Sequence, residues 1–294
     1  MLGGPAITTG VDDPTTLALD GSGNLYVANS TGTNEGDVTV YAPKSVNPLR
    51  TLTGIVGEPK GLVANAAGRL YVVAQDRVGC CQLEGTGGIY PPGATAPKHQ
   101  LQGLSGFAHS PLLDPSGNLY VGNFSVFPGW VSVYDAGRLR PSRVINKGIG
   151  LPIGLTLAPN GDLVVLNGLF SGGYDVTVYP AGESAPSLTI TEGLHRCTAV
   201  AVDADSNIYV ANDKNKHFHG SVTMYLSGQT TVSRSIESGV TFPAALAFDG
   251  SGRLYVANSP DKEASTLVIF AAGSSVPLHT YRLAEQFAAL AVPQ

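Results

Sequence analysis

Two short stretches of the sequence concentrate groups that bind ions. His195-Arg196-Cys197 and Asn212-Asp-Lys-Asn-Lys-His-Phe-His219 supply three imidazoles, a thiol and a carboxylate. If the second stretch is extended, His217 and His219 point to the same side, and His195, Cys197 or Asp213 can complete a set of zinc donors. Arg196, Lys214 and Lys216 argue against this, because their positive charge suits an anionic or polar ligand better than a cation. A solvated loop without a ligand is the third reading. A separate group is aromatic: Phe124, Phe127, Trp130, Phe170 and Tyr174 lie in or beside glycine-rich segments. Large rigid rings stack on sugars or anchor peptides at small entropic cost. The competing reading is that they pack on one another to order their loops. Lys60 and Arg196 join these aromatics as candidate ligand-binding residues.

The elements that must position these groups follow from a repeat. Leu17-Ala-Leu-Asp-Gly-Ser-Gly-Asn-Leu-Tyr-Val-Ala-Asn29 recurs with anchors at Leu17, Leu62, Pro111, Leu155, Val200 and Leu246, and a truncated copy begins at Leu290. The spacings are 45, 49, 44, 45, 46 and 44 residues, a period that indicates a propeller or solenoid. Within a copy, short runs rich in Val, Ile, Tyr and Thr alternate with Gly, Pro, Asn and Asp, which is strand and turn chemistry. Leu17–Leu19, Leu25–Ala28, Val38–Tyr41 and Leu49–Leu52 are the four strands expected in the first copy, and four antiparallel strands per unit make a propeller blade. The third strand ends in an aromatic each time: Tyr41, Tyr90, Tyr134, Tyr179, Tyr225 and Phe270. The fold expected is all-β, a six-bladed β-propeller forming a single domain over 1–294, with partial repeat strands at 5–9 and 287–292. The alternative is that the chain is a piece of a longer array.

In such a blade the loop joining strands two and three and the connection between blades lie at the same end. His195–Cys197 precede the first strand of blade five and Asn212–His219 follow its second, so the two stretches should meet at one corner. Asp20, Asp114, Asp203 and Asp249 open turns at the opposite end, where their carboxylates are expected to accept from turn amides. Asp203-Ala-Asp205-Ser-Asn207 begins like a calcium loop but has Ile208 and Lys214 where that loop needs Gly and Glu.

Composition narrows the partners. There are 17 Lys and Arg against 22 Asp and Glu, a net charge of −5, and no basic stripe, so nucleic acid is not the expected partner. A small molecule, a carbohydrate or a peptide or protein on one face is. No apolar run approaches the ~20 residues that span a bilayer. Met1–Gly10 has neither a basic segment nor an apolar one, so no signal peptide is read here. Low charge and Ser/Thr-rich loops nevertheless favour an extracellular or periplasmic location. The three cysteines, Cys80, Cys81 and Cys197, are an odd number, which leaves one thiol unpaired within the chain.

Copies such as Pro14-Thr-Thr-Leu-Ala-Leu-Asp with Asn24-Leu-Tyr-Val-Ala-Asn, and Pro243-Ala-Ala-Leu-Ala-Phe-Asp with Arg253-Leu-Tyr-Val-Ala-Asn, resemble the NHL and YVTN-type propeller repeats. Family members usually carry Asp where this chain has Asn29, Asn123, Asn167, Asn212 and Asn258. Similar propellers act as interaction platforms, ligand sensors, lactonases and lyases, so the resemblance implies fold more than function. It implies a non-catalytic binding module needing no cofactor, or else a metal-dependent lyase or lactonase. A streptogramin lyase-like site would use a His after the inter-blade Pro, a nearby Glu and a divalent metal. The second position of that motif holds Thr15, Lys60, His109, Ile153, Thr198 and Ala244; only His109 fits, following Ala108 rather than Pro, with Glu58 as the nearest carboxylate.

Overall fold

The computed structural model describes residues 7–30, 32, 34–78, 82–125, 127–213, 220–260 and 264–282. His217, His219, Lys214, Lys216, Cys80, Cys81 and the partial strand expected at 287–292 lie outside these residues. Among the described residues there are 24 strands and no helix, arranged as six antiparallel sheets of four strands. The pattern is that of a six-bladed β-propeller, the fold class the repeat implies.

Blade one is β1 (Pro14–Leu19), β2 (Leu25–Ser30), β3 (Gly36–Tyr41) and β4 (Pro48–Leu52). Blade two is β5 (Glu58–Ala64), β6 (Leu70–Val78), β7 (Gln82–Tyr90) and β8 (His99–Gln100). Blade three is β9 (Phe107–Leu113), β10 (Leu119–Phe124), β11 (Trp130–Tyr134) and β12 (Arg143–Ile145). Blade four is β13 (Leu151–Leu157), β14 (Leu163–Gly168), β15 (Tyr174–Tyr179) and β16 (Leu188–Ile190). Blade five is β17 (Cys197–Val202), β18 (Ile208–Asp213), β19 (Gly220–Tyr225) and β20 (Arg234–Ile236). Blade six is β21 (Pro243–Phe248), β22 (Leu254–Asn258), β23 (Thr266–Phe270) and β24 (Pro277–Arg282). Strand order follows chain order in every sheet. Ile7–Thr9 is not a strand, contrary to the fourth-strand reading of residues 5–9: Val11 N–H closes a turn on the Thr8 carbonyl.

The described residues of Met1–Val126 and Val131–Val144 form one compact unit, and those of Phe127–Trp130 and Ile145–Gln294 form another. The period-two alternation of a strand explains the packing inside each unit, because successive side chains leave opposite faces of a sheet. In the first, Val72 joins blade-one residues Val38, Val40 and Leu52, whereas its neighbours Tyr71 and Val73 join blade-three residues Ala108, Leu119 and Val121. In the second, Ile208 and Val210 meet blade four through Val164, Leu166 and Ile190, and Tyr209 meets Leu254, Val256 and Val268 of blade six. A middle blade therefore contributes to two cores, which is why its inner strands are apolar on both faces.

The aromatic that ends the third strand ties each blade to the connection preceding it. The hydroxyls of Tyr41, Tyr90, Tyr134, Tyr179 and Tyr225 donate to the carbonyls of Thr9, Thr53, Gln102, Lys147 and Glu192, at 2.6–3.0 Å. All five rings are buried, as is Phe270, which has no hydroxyl to donate. The Asp turns are closed as expected. Asp20 accepts from the Ser22 and Asn24 amides, both at 2.9 Å, from Asn24 Nδ2 at 2.8 Å and from the Tyr26 hydroxyl at 3.1 Å. Burial alone would raise its pKa, but these hydrogen bonds outweigh that and hold it below the ordinary value. Asp114, Asp203 and Asp249 repeat the arrangement with Asn118, Asn207 and Arg253. These carboxylates are occupied by their own turns.

Candidate functional site

The other end of the blades is held by the asparagine that closes strand two. Asn212 is fully buried; its Oδ1 accepts the His195 amide at 2.8 Å, and its Nδ2 donates to the Val210 carbonyl at 3.1 Å and to Thr223 Oγ1 at 3.0 Å. This bond carries His195-Arg196-Cys197 onto the end of β18, so the two stretches meet. Cys197 is buried under Asn212, and desolvation pushes its thiol up to about 12. At neutral pH the group is a thiol.

Arg196 has a backbone φ of 46°. The residue just before the first strand is also left-handed at Asp13, Gly57, Gly106 and Phe242, so the conformation belongs to the repeat. Its purpose is visible in the hydrogen bonds: the carbonyls of Asp13, Arg196 and Phe242 accept from the amides of Ser30, Asp213 and Ser259. Glycine meets this requirement without strain, as at Gly57 and Gly106, whereas an arginine does so at some cost. The exposed Arg196 guanidinium reaches Asp213, Nη2 to Oδ2 3.3 Å. Since the Arg is 67% exposed, this is a solvent-screened contact, and among the described residues it leaves most of the guanidinium donors free.

Beside this corner lies a cavity of about 620 Å³, lined by Gly172, Gly173, Tyr174, Leu194, His195, Arg196 and Asp213. An adjoining apolar hollow of about 270 Å³ shares Gly172, Gly173 and Tyr174 and adds Phe127, Leu151, Ile153, Leu169 and Phe170. The glycines belong to a tight turn in which the Leu169 amide donates to the Gly173 carbonyl at 2.8 Å and the Gly172 amide to the Leu169 carbonyl at 2.9 Å. Gly172 sits at φ 85°, and a Cβ placed there would meet nothing within 4 Å. The floor common to both hollows is therefore open backbone. Phe170 is 85% exposed, and its ring meets that of Phe127, centroids 5.4 Å apart.

The remaining candidates are placed elsewhere. Phe124 stacks on Phe107 at 6.2 Å. Trp130 heads β11, half-buried, and lines neither hollow. Glu58 is paired with Lys60 two residues on, at 2.5 Å. His109 faces Ser110 instead of a carboxylate, Nδ1 to Oγ 3.0 Å, and desolvation lowers its pKa to about 4. It is thus neutral at pH 7 and a weak base. Among the described residues no three His, Cys, Asp or Glu side chains gather in a way that could hold a metal ion. No helix among them is long and apolar enough to cross a membrane.

Sequence reasoning named Phe127, Phe170, Tyr174, His195, Arg196 and Asp213, but not the apolar wall of Leu151, Ile153, Leu169 and Leu194. Those four look like ordinary strand and turn residues. The β14–β15 loop has the same length as the β2–β3 loop of blade one, so the repeat spacing carried no signal for the cleft.

No protein-family model matches the sequence, and no curated protein is similar to it in sequence. The structure is similar to a chain of Kuenenia stuttgartiensis hydrazine synthase, with a TM-score of 0.72 and 15% identity, covering 91% of this chain and 80% of that one. At that identity the likeness concerns the fold.

Proposed function

We propose that the chain is a non-catalytic, NHL-like binding module whose ligand occupies the cleft between the β14–β15 loop and the start of β17. The observation that carries this reading is that the two hollows share Gly172, Gly173 and Tyr174 in their walls, one adding an apolar wall and the other a polar corner. Small-molecule sites combine these features, at volumes of about 300–1,000 Å³. Phe170 supports it independently, since a phenylalanine left in water forgoes about 2 kcal/mol of burial that a ligand could recover. The pairing of Glu58 with Lys60 and the low basicity of His109 also favour binding over acid–base catalysis at those residues.

The test is an NMR screen with a chemically mixed fragment library. Hits should shift the amides of Leu169, Gly172 and Gly173 and remain unconverted on standing. Phe170→Ser should weaken them several-fold while leaving the unfolding free energy within the ~0.5 kcal/mol typical of surface changes. Hits that gather at Glu58 and His109 and are turned over would sink the reading.

A further inference from the structure

Resting on that cleft as the binding site, we infer that its ligand is a neutral oligosaccharide of at least two sugar rings, one against Phe127, Phe170 and Tyr174 and the next at His195, Arg196 and Asp213. The argument begins with charge. The described wall of the larger hollow holds one guanidinium and one carboxylate, already 3.3 Å apart. An anion drawn to Arg196 would meet Asp213 in the same corner, and a cation drawn to Asp213 would meet Arg196. Either ligand must displace a partner or leave unlike groups uncompensated, which costs free energy wherever water is partly excluded.

A hydroxyl avoids that conflict because it both donates and accepts. It can accept from a free N–H of Arg196 and donate to Asp213 without changing the charge of the corner. Vicinal hydroxyls on a sugar present two such groups to the in-plane edges of a guanidinium and a carboxylate. The apolar hollow fits the other side of the same molecule, since a pyranose has a face of C–H groups that packs on aromatic rings. Phe170 and Phe127 are 85% and 39% exposed, and Tyr174 borders both hollows. Between them the Gly172–Gly173 backbone has no side chains, so a ring can approach closely. Two neighbouring hollows of different polarity, with Gly172, Gly173 and Tyr174 in both walls, favour a chain of sugars over a monosaccharide.

Saturation-transfer NMR and calorimetry against neutral gluco-, xylo-, manno- and chito-oligosaccharides, their uronate counterparts and short neutral peptides test the inference. At least one neutral oligosaccharide should bind, at least tenfold more tightly than its monosaccharide, with an affinity insensitive to salt. Tyr174→Ala and Arg196→Gly should each weaken it about tenfold or more, and Tyr174→Phe should retain most of the affinity, which separates loss of the ring from loss of the fold. The glycine suits the left-handed backbone at 196 and keeps the corner in place. Selective binding of uronates or peptides, with amide shifts at Gly172 and Gly173, would overturn the neutral-sugar class while leaving the cleft as the site. Oligosaccharide binding untouched by all three variants would overturn the cleft itself. Failure of every neutral oligosaccharide to bind would also overturn the inference.

Discussion

The corners where blades two and three begin carry the same kinds of groups as the corner of blade five, and the two use them differently. Glu58 and Lys60 neutralise each other at 2.5 Å from positions two apart on one strand, each 31% exposed, and His109 is desolvated and bonded to its own neighbour Ser110. At blade five, Arg196 and Asp213 come from segments joined through Asn212; their contact is longer, the Arg is mostly in water, and a cavity opens beside them. On the proposed reading, ionisable residues mark a site when hydrogen-bonding capacity is left over next to enclosed space. Residue type at a blade corner does not distinguish the two cases.

The sharpest way to break this contrast is to remove the asparagine beneath the blade-five corner. Asn212→Ala strands the His195 amide and removes one partner each from the Val210 carbonyl and the Thr223 hydroxyl, which still meet each other, and should cost on the order of 2 kcal/mol, read as a fall in the denaturation midpoint at constant slope. A loss below about 1 kcal/mol would mean that water replaces it and that the corner is not built on this residue.

His109 provides the next test, on the other corner. Its folded pKa, about 4, lies below the ordinary 6.5, so the folded state favours the neutral ring. The contribution is fully present above pH 6.5 and is lost as pH falls from there towards 4, because the unfolded chain takes up the proton first. The loss should be on the order of 3 kcal/mol. His109→Gln, which cannot titrate, should flatten the stability profile across that interval relative to wild type; parallel profiles would show that the ring is not desolvated.

The smallest effect compares the two ion pairs directly. Double-mutant cycles should give a coupling of about 0.5–1 kcal/mol for Glu58–Lys60 and about 0.3 kcal/mol or less for Arg196–Asp213, since geometry is closer and exposure lower in the first. A reversed order would undo the claim that the blade-five guanidinium is the one left available.

Asp20 and Tyr41 illustrate what could be read early. A turn aspartate followed by Asn24 can be assigned from sequence because the bonds are local, and an aromatic recurring at the end of strand three signals a buried structural post. That the Tyr41 hydroxyl reaches the Thr9 carbonyl, 32 positions away, was not legible, because nothing in a local pattern specifies where a strand end meets a distant connection. The candidate aromatics show the same limit. They appeared as one group in sequence, yet Phe124 turns to Phe107, Phe127 meets Phe170, and Trp130 lines neither hollow.

By itself the sequence determined the all-β class, the four-stranded blade and the number of blades, because strand alternation, turn residues and the ~45-residue period are short-range properties written directly into the chain. It also brought His195–Cys197 and Asn212–Asp213 to one corner, since blade topology places those chain ends together. Only the tertiary structure decided which groups remain available. Pairing, desolvation and enclosed volume depend on the distances among side chains far apart in sequence, and Glu58, His109 and Cys197 are withdrawn by their surroundings while Phe170, Tyr174 and Arg196 are left facing open space.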